Sequence, residues 1–528
     1  MSVFRRRLMG ASRKGSGIDM PNYMTIEALE DGLTAKLTRT ACEYSIDGGE
    51  WVSLAANTST PSINTGHIIS FKANNPSASS SYGIGTFTID KKCNLKGNCM
   101  SMLAYDDAAN MTTVKIYGFM TLFKNCTNIV NVEKGFLPAT TLNNYCYYQM
   151  FYGCSNLATS PDLPARSLKN YCYRDMFYDC VSLTQAPNLP ATVLGTYCYY
   201  GMFYRCSKLE TAPALPATTL KDYCYRNMFY GCRSLKTAPE LPANNLTPYC
   251  YARMFGNCSS LENAPELQSI SVSSHSYDQM FYGCSNLVNP PVVAASDLAE
   301  RTCSDMFNGC TGLISTPSMN IKSVSSYSCY SMFEGCTNLT SIDITISASY
   351  FYDSSCSQMF QGCTKLESAS SLFALNSYTT LGEYCFNSMF YECTNLTTPP
   401  SLPSLNLAVH CYSGMFGYCS NLRTVPELPA TTLAQECYYR MFFQCERITS
   451  VYLPALELVE DCYGQMFYRC GNLRDIKALF LTTPSTTYTN QWVYGVYPNF
   501  GTFTKNKDAT WSVNGENGIP NNWTVVTE

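Results

Sequence analysis

Between residues 120 and 475 the apolar positions recur in one arrangement. In a representative copy they are Leu142, Cys146, Tyr147, Met150, Phe151 and Cys154, at i, i+4, i+5, i+8, i+9 and i+12, which predicts one stripe of an amphipathic helix of about three turns. Leu157 follows, then a segment in which Pro161 and Pro164 flank Leu163, matched one copy later by Pro187, Leu189 and Pro190. Prolines exclude helix there and remove ladder donors, so the segment is expected as a short extended pass with isolated bridges or strands of a few residues.

The unit repeats. Met-Phe-x-x-Cys falls at Met150, Met176, Met202, Met228, Met254, Met280, Met306 and Met332, a period of 26, and then at Met359, Met389, Met415, Met441 and Met466. A degenerate copy, Leu122-Phe123 with Cys126, precedes them. A fixed period of this size describes a stacked array in which each coil buries its apolar face against its neighbours. The expected fold is an α/β repeat solenoid of about 14 coils, with a short helix and a very short strand per coil, spanning residues 99–478. Distorted stacking is expected between Met332 and Met389, where the spacing slips and Ser370 to Leu381 are inserted.

Outside the array the pattern changes. Residues 1–20 form a basic arm without periodicity. From 21 to 98 the period is two, in runs at Ala35–Thr38, Glu43–Ile46, Trp51–Leu54, Ile68–Lys72 and Gly85–Ile89, with Asp47-Gly48-Gly49 as a tight turn. These predict a small β-sandwich with Trp51 in its core. Residues 479–528 hold three of the four tryptophans, Trp492, Trp511 and Trp523, and read as a β-rich cap that covers the last coil.

Composition alters the picture in two respects. The net charge is −4, and Arg5, Arg6, Arg7, Arg13 and Lys14 precede the first acid, so the remainder carries −4 − 5 = −9. An acidic body argues against nucleic acid as a partner. The 29 cysteines fall mostly in two columns, headed by Cys146 and Cys154. On one helix these two would lie about 12 Å apart, and packed helices stand about 8 to 10 Å apart, both too far for a disulfide. The columns therefore read as buried free thiols acting as small hydrophobes, as in a chain folded under reducing conditions. The basic start lacks the apolar run of a signal peptide, and no apolar stretch is long enough to span a membrane.

The run Cys-x-x-Leu-x-x-x-x-x-Leu-Pro after an aromatic-Phe-x-x-Cys segment resembles the BspA-type leucine-rich repeat, most of all phage-encoded members from gut bacteriophages, with Met in place of the usual Ala. The likeness covers roughly residues 120 to 475. It implies a leucine-rich-repeat solenoid and a surface or binding role, in a family that includes adhesins, eukaryotic surface proteins and phage-encoded proteins.

Convergent chemistry is lacking in the sequence. His67, His275 and His410 are far apart, no phosphate loop, H-E-x-x-H or nucleophile elbow occurs, and no C-x-x-C pair suggests zinc. His410 precedes Cys411, but helix neighbours point about 100° apart. The reading is a non-enzymatic protein without cofactor or metal. Tyrosine is the candidate binding residue. Tyr148 and Tyr200 lie two before the repeat Met, where residues vary from coil to coil, and Tyr152, Tyr178, Tyr204, Tyr230 and Tyr282 follow the repeat Phe. Exposed tyrosines offer rigid recognition area, although the same rings could simply cover the junction between coils.

These features yield three expectations. The first is a virion protein, a tail fibre, tail tip or head-attached fibre, assembled in a host cytoplasm. Its arm, through Arg5, Arg6, Arg7, Arg13 and Lys14, and its β-domain would dock on other virion proteins, while the solenoid, alone or as a homo-oligomer, recognises a host protein or glycan. The second is a structural virion component that cements other subunits. The third is a bacterial cell-surface adhesin.

Overall fold

A computed structural model describes residues 22–75, 83–374, 380–496 and 500–528; the arm lies outside them. The apolar stripe is not helical. Tyr145, Gln149 and Gly153 have φ of 59°, 52° and 72°, so every fourth residue is left-handed. The amides of Cys146, Tyr148, Met150, Tyr152 and Cys154 donate to carbonyls three residues back. Those of Tyr145, Tyr147, Gln149, Phe151 and Gly153 instead donate to Asn170, Cys172, Arg174, Met176 and Tyr178 of the next coil. Each supposed helix is therefore a ribbon of chained turns, and half its donors hold the neighbouring coil.

The spacing explains both the expectation and its failure. Apolar pairs at a strict period of four advance about 40° per repeat on an α-helix, so the third pair would have left the core face. A four-residue turn returns each pair to the same side. Among the described residues only Cys99–Met102 and Lys134–Phe136 are helical, both 3₁₀.

The extended passes form the expected isolated bridges. One column runs Gln185, Thr211, Thr237, Asn263 and Asn289; another includes Thr141, Ser167 and Val193. All are parallel, so the chain is a β-solenoid of about 16 turns. Phe123, Phe151, Phe177, Phe203 and Phe229 stack with centroids 5.5 to 5.7 Å apart, and the file continues to Phe467 against Trp492. Where distortion was expected, Cys356, Gln358 and Phe360 still donate to Cys385, Asn387 and Met389. Phe360 and Phe390 stack at 5.5 Å. The ribbon thus keeps its register on both sides of the insertion.

The flanking units do not stand apart. The N-terminal residues form a six-stranded sheet in the order Val52–Leu54, Cys42–Ile46, Ile68–Lys72, Met24–Ala28, Cys93–Lys96, Ile129–Val132. The last pairing is parallel and joins the sheet to the first coil. Phe87 meets Phe71 edge to face and stacks on Phe123, so one core serves both, in place of a separate sandwich. Asp47 and Gly48, with φ of 50° and 73°, make the expected turn. Trp51, however, lies half-buried at the rim with Lys72 Nζ 4.5 Å above its ring. At the other end Ser450–Leu453, Asp475–Ala478, Thr502–Lys505 and Thr524–Thr527 pair in parallel as one sheet. Phe467 donates its amide to Trp492 and Arg469 to Tyr494. The coiling thus runs past residue 478 rather than yielding there to a separate β cap.

Candidate binding face

Successive turns of the ribbon place two adjacent residues inward and the next two outward. Inward go Cys146-Tyr147, Met150-Phe151 and Cys154, all buried. Outward go Tyr148-Gln149 and Tyr152-Gly153, with Tyr145 at the start. Stacking of coils then turns each outward position into a column.

Two tyrosine columns border this face. Tyr152, Tyr178, Tyr204 and Tyr230 stack with centroids 4.6, 4.4 and 4.9 Å apart and nearly parallel planes. Tyr145, Tyr171, Tyr197, Tyr223 and Tyr249 do the same at 4.5, 4.8, 4.4 and 4.6 Å, and His275 continues the file at 4.2 Å. The ring faces cover one another. What remains for a partner is the ring edges and the hydroxyls, and both files are half-buried.

The first file ends where the next coil has Gly256, whose absent Cβ would lie 2.7 Å from Cδ2 of Tyr230. Tyr282 belongs to the same column but stands beyond that gap. Tyr148 and Tyr200 lie between the files, two coils apart, and the Arg174 guanidinium sits 5.8 and 4.6 Å from their rings. It also lies 5.6 Å from Tyr171 and 5.3 Å from Tyr197. The structure thus brings six of the seven candidate tyrosines onto one surface of the coils from Met150 to Met228. The column from Tyr145 to Tyr249 was missed, although each member stands directly before a repeat cysteine as Tyr-Cys.

The variable pair before the repeat Met is less exposed than variation suggests. Asp175 is 6% exposed, Asn227 9% and Asp278 8%. Asp175 accepts from Gln149 Nε2 at 3.3 Å and Arg174 Nε at 3.4 Å. Burial raises its pKa, and Arg174 opposes the rise. Burial also lifts Asp278 to about 6, against the nearby Arg253.

The cysteine columns lie behind this face. All 29 thiols are free and buried. Coils joined by backbone hydrogen bonds stand about 4.8 Å apart, not the helix distance expected, so separation is not what keeps the thiols apart. The second column has a partner: Cys180 Sγ donates to the Phe151 carbonyl at 3.2 Å and Cys206 Sγ to Phe177 at 3.1 Å, and the pattern persists to Cys470. Burial holds these thiols far above their ordinary range, with Cys284 pushed up to about 12. His410 Nδ1 lies 3.2 Å from Glu436 Oε2 and its ring stacks on Tyr384 at 4.4 Å. The neighbouring Cys411 is buried, its thiol raised to about 12. Among the described residues no group of three or more His, Cys, Asp or Glu is placed to hold a metal, and no helix is long and apolar enough to cross a membrane.

Residues 109–228, 199–294, 277–413 and 387–490 match the BspA type leucine-rich repeat region (6 copies). No curated protein matches the chain. The match spans the coils that carry both tyrosine files, a repeat scaffold suited to binding or adhesion rather than catalysis.

Proposed function

This chain belongs to the BspA-type leucine-rich-repeat family, and on that premise we propose that the tyrosine face of the coils from Met150 to Met228 recognises a protein or glycan on a host cell, with the chain as part of a phage particle. The observation that carries the reading is the pair of stacked files, Tyr145 to Tyr249 and Tyr152 to Tyr230. Rings locked by stacking lose little entropy on binding, and their hydroxyls can donate to or accept from a polar partner. Twenty-nine buried thiols suit folding in a reducing cytoplasm before release. The basic arm, with Arg5, Arg6, Arg7, Arg13 and Lys14, would dock on other virion proteins.

The alternative is a virion protein that only cements its neighbours; an exported bacterial adhesin ranks below both. Removing residues 1–98 is a poor discriminator, since Cys93–Lys96 pairs with the first coil and Phe87 stacks on Phe123. The test uses the whole purified chain. It should bind host cells saturably and compete with particles for adsorption, and the Tyr178→Ser, Tyr204→Ser, Tyr230→Ser triple variant should lose that binding while staying folded. Binding to particles alone, or undiminished cell binding by the variant, would reject the recognition reading.

A further inference from the structure

A second surface, in different coils, carries another kind of chemistry. Arg423 follows the core residue Leu422, Arg447 precedes Ile448 and Arg474 follows Leu473, so three successive coils each present an exposed guanidinium. The middle coil supplies Thr449, whose carbonyl accepts the amides of Arg474 and Asp475 at 2.9 and 3.1 Å. Arg423 and Arg474 are thereby two coils apart, about 10 Å at the backbone, with Thr449 between them and Arg447 beside it. Asn472, held by a 2.8 Å bond from Nδ2 to the Glu446 carbonyl, completes the wall.

These five residues line an open cavity of about 500 Å³, and no carboxylate lines it. Glu446 and Asp475 adjoin Arg447 and Arg474 in the chain, but Asp475 lines a neighbouring groove with Lys477 and Tyr452. Neither Arg423 nor Arg447 has a carboxylate within ion-pair distance among the described residues. In a chain of net charge −4, three guanidinium groups thus gather at one cavity that no carboxylate lines. Phe500, 58% exposed, lies 5.9 Å from the Arg474 guanidinium and adds an aromatic platform at the rim.

We infer that the cavity formed by Arg423, Arg447, Thr449, Asn472 and Arg474 binds an acidic saccharide, through carboxylate or sulfate groups on a sugar. Guanidinium forks match planar or tetrahedral oxyanions, the threonine hydroxyl and the amide suit sugar hydroxyls, and Phe500 can meet the C–H face of a pyranose. This site is independent of the tyrosine face and stands or falls separately.

The test is equilibrium binding of the full-length chain to a sulfated glycosaminoglycan oligosaccharide and to an oligogalacturonate. A neutral dextran oligomer and an oligoglutamate of equal charge serve as comparators. The expected result is binding to at least one acidic saccharide that weakens with salt, and none to dextran. Each of Arg423→Ser, Arg447→Ser and Arg474→Ser should weaken it about tenfold, and the triple variant should abolish it with an unchanged thermal midpoint, since all three side chains are exposed. The triple Tyr→Ser variant of the other face should bind the saccharide normally. Failure to bind either acidic saccharide, a triple arginine variant that binds like the parent, or oligoglutamate bound as tightly as the saccharides would each overturn the inference.

Discussion

At the scale of single residues, the sulfur positions show how one side chain serves two ends. A cysteine in the second column fills the narrow space between coils as a small apolar group and also donates to the phenylalanine carbonyl of the preceding coil, as Cys232 does to Phe203 at 3.1 Å. Burial keeps the thiolate inaccessible, so a thiol reagent should find almost no reactive cysteine in the native protein and close to all 29 after denaturation without reductant. A low count in the denatured chain would show disulfides instead. The inner tyrosines behave differently: the Tyr173 hydroxyl is buried without a partner. Tyr173→Phe should therefore leave stability unchanged or raise it by about 1 kcal/mol in denaturant unfolding. Asp278 gives a pH signature. Burial holds its folded pKa at about 6, above the ordinary 3.8, so the folded state holds the extra proton between those limits. Its contribution is fully present below about 4 and lost as pH rises through 6. Asp278→Asn should stabilise the protein at pH 8 by about 2 kcal/mol and have little effect at pH 4, read from unfolding midpoints. The core positions were legible in the sequence almost completely, because repetition marks them. The buried state of Asp175 and Asp278 was not, because variation from coil to coil reports what the stacking tolerates rather than what water reaches.

At the scale of the element, the ribbon of turns is where sequence and structure part. Leu142, Cys146, Tyr147, Met150, Phe151 and Cys154 fit a helical stripe over one or two turns, and only the accumulated drift across three repeats separates a period of four from 3.6. A left-handed residue such as Tyr145, Gln149 or Arg253 costs about 1 kcal/mol. That cost is offset because the same turn frees an amide to bond the next coil, as Tyr145 does with Asn170 at 3.1 Å. No isolated unit could recover it, so the element exists only in a stack. Close approach of coils follows, and Gly195 shows how close: an added Cβ would lie 2.4 Å from the backbone carbon of Lys169. Gly195→Ala should force those coils apart and cost about 2 to 4 kcal/mol in unfolding experiments. A change within about 0.5 kcal/mol would mean that the spacing is looser than described. The extended passes were legible, since paired prolines limit ladder donors whatever the neighbouring element.

At the scale of the molecule, continuity is the main property. The phenylalanine file runs from Phe87, in a strand paired antiparallel with Ala35–Leu37, to Phe467 against Trp492, and the parallel pairing carries on through Thr524–Thr527. Composition suggested separate terminal units because the repeat signature fades there, with Trp492 near the place of the usual Met-Phe pair; backbone pairing does not need that signature. Family membership was legible from the spacing of Phe, Cys, Leu and Pro. The binding face was legible in half, one tyrosine file being anticipated and the other hidden behind the cysteine pattern. Both files depend on the ribbon, because its hydrogen bonds set the coils about 4.8 Å apart, whereas packed α-helices, about 8 to 10 Å apart, would hold the rings of successive coils too far apart to stack. The most direct test of the account is far-UV circular dichroism of the purified chain. A spectrum without the double minimum of α-helix, dominated by β and turn signals, is the predicted result; a helical signal corresponding to one three-turn helix per coil would contradict it.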